Sequence, residues 1–110
     1  MPAAEDFFAI EMHVGTVRHA EPFPDARKPS LTLEIDFGPV LGIKRSSAQL
    51  TVHYTAEQLV GRQVIAVTNI GTRRIAGFTS EVLVLGAMPT ATEVVLLRTD
   101  HAVADGTRIG

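Results

Sequence analysis

Cysteine is absent from the 110 residues. Its absence excludes disulfides, thiolate zinc sites and cysteine nucleophiles together, and it fits a reducing compartment. Long hydrophobic runs are missing as well. The longest, such as Val82-Leu83-Val84-Leu85, have four residues, against the roughly 18 a membrane-spanning helix needs. The chain opens Met1-Pro2-Ala3-Ala4-Glu5-Asp6, acidic where a secretory leader would be basic, so a cytoplasmic protein without membrane insertion is expected. A strongly basic balance is lacking too. The formal net charge is −2, unlike the footprint of a general nucleic-acid binder. No Walker loop, dinucleotide fingerprint or G-x-S-x-G elbow occurs, so nucleotide-driven work and serine hydrolysis are not expected.

What is present is ordinary globular material. Hydrophobic residues make up 45% and charged residues 20%, a mixture that rules out a disordered tail. At this length one domain, residues 1–110, is expected, burying roughly 60–70% of the surface its unfolded chain exposes. Charge is unevenly spread. Residues 1–12 carry three acids and no base, residues 13–80 eight bases against five acids, and residues 81–110 two bases against four acids. The middle is mildly basic between acidic ends.

The periodicity reads as β-rich. Pro2 to Ala9 predicts a short helix with Glu5 and Asp6 well placed near its N-terminus, too short to stand undocked. A strand follows over Met12 to Ala20, where Gly15 marks a bend or a close backbone approach. Glu21-Pro22-Phe23-Pro24-Asp25 reads as a loop. Leu31, Leu33, Ile35 and Phe37 alternate with polar residues, the strongest period-2 signal in the chain. Gly38-Pro39 predicts a turn and Val40 to Leu50 a third strand. Thr55 and Gln58 form a capping box for a short helix that Gly61 stops. Arg62 to Thr68 reads as a buried strand, Asn69 to Thr79 as a basic, turn-rich segment, Val82 to Leu85 and Val94 to Leu97 as closing strands, and Asp105-Gly106 as a turn. Five strands with a short helix between the third and fourth predict an all-β, OB-type five-stranded barrel with a short N-terminal helix.

Catalytic and metal-binding constellations find little support. His13 and His19 would share a strand face about 20 Å apart, too far to ligate one ion, and His53 and His101 stand alone. No metal or cofactor is expected. Glu34 and Asp36 read as a solvated strand face, not an acid–base pair. The basic doublets Arg27-Lys28, Lys44-Arg45 and Arg73-Arg74 are more telling, because eight of the ten basic residues are arginine, the side chain suited to stacking and forked recognition. Phe78 follows Arg74 by four residues, so an aromatic and a guanidinium could line one cleft, as OB barrels use stacking plus charge. The apolar cluster Phe7, Phe8 and Ile10 is an expected dimer contact, since a barrel with a filled core would leave it exposed.

A series of segments then resembles the CsaA family of export-related bacterial chaperones: Val14-Gly15, Phe23-Pro24-Asp25-Ala26, Ile35-Asp36-Phe37-Gly38, Ile43 to Gln49, Gly61-Arg62-Gln63-Val64, and Asn69 through Arg73 to Gly86. The resemblance runs from about Phe7 to Gly110. It implies an OB-fold homodimer related to the tRNA-binding domain appended to methionyl-tRNA synthetases, non-enzymatic, binding unfolded preproteins for export without nucleotide hydrolysis. The implied binding residues are Asn69, Arg73, Arg74, Phe78 and Ser80, with Lys44 and Ser46 on an adjacent strand. The tRNA-binding relatives typically carry a basic residue where this chain has Ala76, a methionine at Leu83 and His-Pro at Phe23-Pro24, differences that shift the expected cleft toward apolar ligands. A tRNA-binding module is the rival expectation.

Overall fold

The computed structural model describes residues 1–110. Helix α1 (Ala4–Ala9) leads into β1 (Met12–Pro22), β2 (Leu31–Asp36), a helical turn α2 (Gly38–Leu41), β3 (Ile43–Ala48), α3 (Ala56–Leu59) and β4 (Gln63–Val67). The hairpin β5 (Arg73–Ile75) and β6 (Phe78–Ser80) follows. Then come β7 (Leu83–Val84), the hairpin β8 (Gly86–Thr90) and β9 (Glu93–Leu96), and β10 (Arg108–Ile109). The main sheet runs β3-β2-β1-β4-β7, all antiparallel, with β10 added beside the start of β1. It curls into the expected nearly closed five-stranded barrel.

Strand β1 makes the curl. Its first half pairs with β4 and its second half with β2, and a register shift between Val17 and His19 bends it between the two jobs. Gly15 lies at the start of this bend against the core. A Cβ there would sit 2.6 Å from Ile35 Cγ2 and 2.7 Å from Phe37 Cδ1. The close approach read from the sequence is therefore real, and it is a core contact. Around it pack Val17, Leu33, Ile35, Phe37, Leu50, Leu59 and Val64, all essentially sealed from solvent. The period-2 alternation of β2 supplies Leu33 and Ile35, and Phe37 continues it one residue past the strand.

The seam between β3 and the segment entering β7 is closed mostly by side chains. The Glu81 amide donates to the Arg45 carbonyl at 2.7 Å, and the Arg45 amide to Glu81 Oε1 at 3.0 Å. The Ser46 hydroxyl donates to the Val82 carbonyl at 3.0 Å, while Ser80 Oγ accepts from the Ser47 amide at 3.3 Å.

Local corrections to the sequence reading have simple causes. Glu21 and Pro22 extend β1, because Pro22 ends the strand where no ladder donor is required. Val40 belongs to α2, which Pro39 starts, so β3 begins only at Ile43. The basic segment after Asn69 contains the β5–β6 hairpin. Its two-residue turn, Ala76-Gly77, has φ of 48° and 83°, the left-handed pair a tight hairpin requires. The strand expected over Val94 to Leu97 forms as β9, over Glu93–Leu96, whereas β8 and β10 carry no alternation that announces them. The capping box forms as read: the Gln58 amide donates to Thr55 Oγ1 at 3.4 Å and the Thr55 amide to Gln58 Oε1 at 3.0 Å. Gly61 stops α3 at φ 89°.

Candidate binding face

OB barrels bind across the outer face of strands 2 and 3, flanked by the loop joining strands 1 and 2 and the connection between strands 4 and 5. Here those are the outer faces of β2 and β3, the Phe23–Ser30 loop and the β5–β6 hairpin. Pro22 ends β1, and the loop carries Phe23, Pro24 and Pro29, with a turn in which the Ala26 amide donates to the Phe23 carbonyl at 3.3 Å. It folds beside the hairpin so that the Phe23 and Phe78 rings lie 5.6 Å apart at 53°. Arg45, projecting from β3, places its guanidinium carbon 4.2 Å from the Phe78 ring centroid, a stacked cation–π contact.

These three side chains line a recess of about 260 Å³ with His19, Glu21 and Glu34 at its edge. Phe78 is half-buried, so its ring is neither sealed in the core nor free. On the far side of Phe23 the same loop borders a wider, mostly apolar groove of about 590 Å³, bounded by Pro24, Pro29, Leu31 and the first residues of α3. A third hollow of comparable size lies between Arg27 and Lys28 of the loop and Arg73 and Ile75 of the hairpin. Arg27, Lys28, Arg45 and Arg73 thus border a mostly apolar surface.

Acids moderate that charge locally. His19 Nε2 lies 2.5 Å from Glu21 Oε1. This hydrogen bond raises the imidazole pKa above its ordinary value; desolvation opposes it, and the charges of Glu21 and Glu34 add to it.

The residues expected from sequence separate into distinct roles. Strand pairing puts Arg73 opposite Ser80 and Ile75 opposite Phe78, and Arg74 opposite Thr79. Arg74 therefore lies on the other face of the hairpin from Phe78, where its Nη1 donates to Thr79 Oγ1 at 3.1 Å. The guanidinium beside Phe78 belongs to Arg45. Lys44 is paired with the inward-facing Ile35, whereas Arg45 faces Glu34 on the outer side; alternation excludes Lys44 from the Phe78 surface. Ser46 is 1% exposed and Ser80 8%, and both hydroxyls serve the barrel seam. Asn69 is a clamp: its Oδ1 accepts from the Glu11 amide and its Nδ2 donates to the Ala9 carbonyl, each at 2.8 Å. It ties α1 to the barrel. Phe7, Phe8 and Ile10 stand 44, 64 and 45% exposed, the two rings edge to face at 5.4 Å.

Sequence reasoning passed over Arg45 and Phe23. The doublet Lys44-Arg45 held the first, but which of two neighbours faces outward depends on register. Phe23 was legible as an aromatic between two prolines in the strand 1–2 loop of an OB barrel.

Comparison with known proteins decides the kinship. Residues 12–108 match the family model described as "Putative tRNA binding domain". The crystal structure of chaperone CsaA from Bacillus anthracis str. Ames superposes with a TM-score of 0.95 at 51% identity, covering 100% of this chain and 99% of that one. The chain belongs to the tRNA-binding-domain family, within its CsaA branch. A CsaA chaperone protein from Picrophilus torridus aligns over the full length of both chains, with a TM-score of 0.92 and 40% identity. The methionine–tRNA ligase of Porphyromonas gingivalis (strain ATCC 33277) is 34% identical over 107 residues, 97% of this chain. The CsaA-type chain spans only 15% of that ligase's length, so the enzyme is matched through this domain alone. No helix of the barrel is long and apolar enough to cross a membrane.

Proposed function

We propose that this CsaA-type barrel is a nucleotide-independent chaperone. It captures extended, apolar segments of unfolded preproteins and keeps them competent for export from the cytoplasm. The observation that carries the reading is the open aromatic pair Phe23–Phe78 under the Arg45 guanidinium, continuous with the proline-lined groove. An extended peptide would lay apolar side chains against the rings and prolines. Arg45 and Arg73, with Arg27 and Lys28, would engage its carbonyls and acidic side chains. Arg74 would add charge from the far side of the hairpin. Binding the unfolded state holds a client unfolded by mass action, with no chemical step. The functional unit is a homodimer joined through Phe7, Phe8 and Ile10, whose exposure a second copy would relieve.

The second reading, tRNA binding, is favoured by one observation: five bases, Arg27, Lys28, Arg45, Arg73 and Arg74, border or adjoin the face OB folds use for oligonucleotides. Salt separates the two. Titration against a denatured preprotein and against tRNA, each at low and high salt, will give peptide affinity that holds or strengthens at high salt. Phosphate contacts release counterions, so tRNA affinity would fall steeply with salt. Tight tRNA binding with no preprotein binding at either salt would refute the chaperone reading.

A further inference from the structure

The hollow between the loop after β1 and the β5–β6 hairpin holds charge of one sign. It measures about 590 Å³ and is bordered by Arg27, Lys28, Gln49, Arg73 and Ile75, with no acid on its wall. The loop brings Arg27 and Lys28 to it as neighbours in sequence. Arg73 comes from the hairpin, where alternation sets it on the same face as Ile75. None of the three bases takes part in an ion pair of the molecule. The arginines whose side chains donate hydrogen bonds are Arg18, Arg74 and Arg108, so the forks of Arg27 and Arg73 are free. Asp25, two residues before Arg27, pairs with none of the three. Like charges around one concave surface repel each other and concentrate an anion between them.

This hollow continues the apolar surface. Ala26 and Arg27 border both it and the wide apolar groove, so one occupant can fill the two together. No aromatic ring lines it, whereas Phe23 and Phe78 border the neighbouring recesses. Single-stranded nucleic acid uses such rings to stack its bases. Carboxylates next to an apolar run need only the free bases and the groove. The recess at Phe78 differs, since Glu21 and Glu34 stand at its edge; the attraction for acids belongs to the side between loop and hairpin.

We infer, resting on the chaperone reading, that this hollow selects extended apolar segments flanked by acidic side chains. Three labelled peptides sharing one apolar run, its ends flanked by three Asp, three Asn or three Lys, test it by fluorescence anisotropy with the full chain. An exposed ion pair changes affinity by a factor of about 1.4–5, so three acids against three bases should give roughly tenfold tighter binding of the Asp peptide than of the Asn peptide at low salt. That advantage should shrink at high salt, and the Lys peptide should bind more weakly than either. Arg27→Gln/Lys28→Gln/Arg73→Gln removes exposed charges that make no ion pair in the barrel. It should abolish the Asp advantage and leave the Asn affinity unchanged. Asn binding with no Asp advantage, or an advantage that survives in the triple variant, overturns the charge preference and leaves the chaperone reading standing. No binding of any of the three peptides overturns both. A uridine oligonucleotide that displaces the Asp peptide from the wild type, and has no affinity for the triple variant, would assign the hollow to nucleic acid and overturn the preference for acidic segments.

Discussion

Single residues in this barrel act through which side of a strand they occupy. Gly15 sits where any Cβ would strike Ile35 and Phe37. Gly15→Ala is therefore an overpacking change, expected to cost about 1–3 kcal/mol and to lower the thermal midpoint without changing the family of folds seen by circular dichroism. His19 has its titration displaced upward. Because its hydrogen bond to Glu21 raises its folded-state pKa, the charged ring favours the folded state. That contribution is full below the unfolded value of about 6.5 and is lost as pH rises through the folded pKa. An NMR titration should place the His19 midpoint above the ordinary histidine value, and Glu21→Gln should bring it back down. The same logic of sides explains what sequence could and could not show. The alternation of Leu31, Leu33 and Ile35 betrayed the core because half-burial imposes period 2. The doublets Lys44-Arg45 and Arg73-Arg74 betrayed charge but not direction, since each puts one base on each face and only strand register says which is which.

Among elements, the legible ones were those with local chemistry of their own. The capping box of α3 and the left-handed stop at Gly61 are encoded within a few residues, and so is the alternating β2. The β5–β6 hairpin was hidden because its turn uses Ala76-Gly77, an alanine at φ 48° in place of the asparagine or aspartate that usually signals such a turn. Ser80 is expected at the site through the family motif and Ser46 as its neighbour on the adjacent strand. The bonds from Ser46 to Val82 and from Ser47 to Ser80 span more than 30 residues, and no local pattern could reveal them. The two bonds of Asn69 reach back to Ala9 and Glu11 across nearly 60 residues. Its removal is informative about α1. Asn69→Ala deletes both bonds, each worth about 1 kcal/mol, and frees the helix bearing Phe7 and Phe8. Sedimentation velocity should then show the proposed dimer dissociating at lower dilution than wild type, with the barrel's own unfolding little changed.

At the scale of the whole molecule, the fold divides its labour by face. The interior is a continuous apolar cluster from β1, β2, β4 and α3, closed along one seam by the hydroxyls and amides of Ser46, Ser47 and Ser80. The N-terminal helix carries apolar side chains that its own barrel leaves uncovered. Beside the outer face of β2 and β3, the loop after β1 and the β5–β6 hairpin present Phe23 and Phe78, with Arg45 of β3 over the Phe78 ring. The central claim is that the Phe23–Phe78 recess is where unfolded chain is held. Titrating a denatured preprotein into wild type and into Phe23→Ala/Phe78→Ala, at high salt where charge is screened, tests it most directly. Both rings are only partly buried, so the variant keeps its barrel. The expected result is at least a tenfold loss of preprotein affinity with an unaltered fold. Undiminished affinity in the folded double variant would contradict the account.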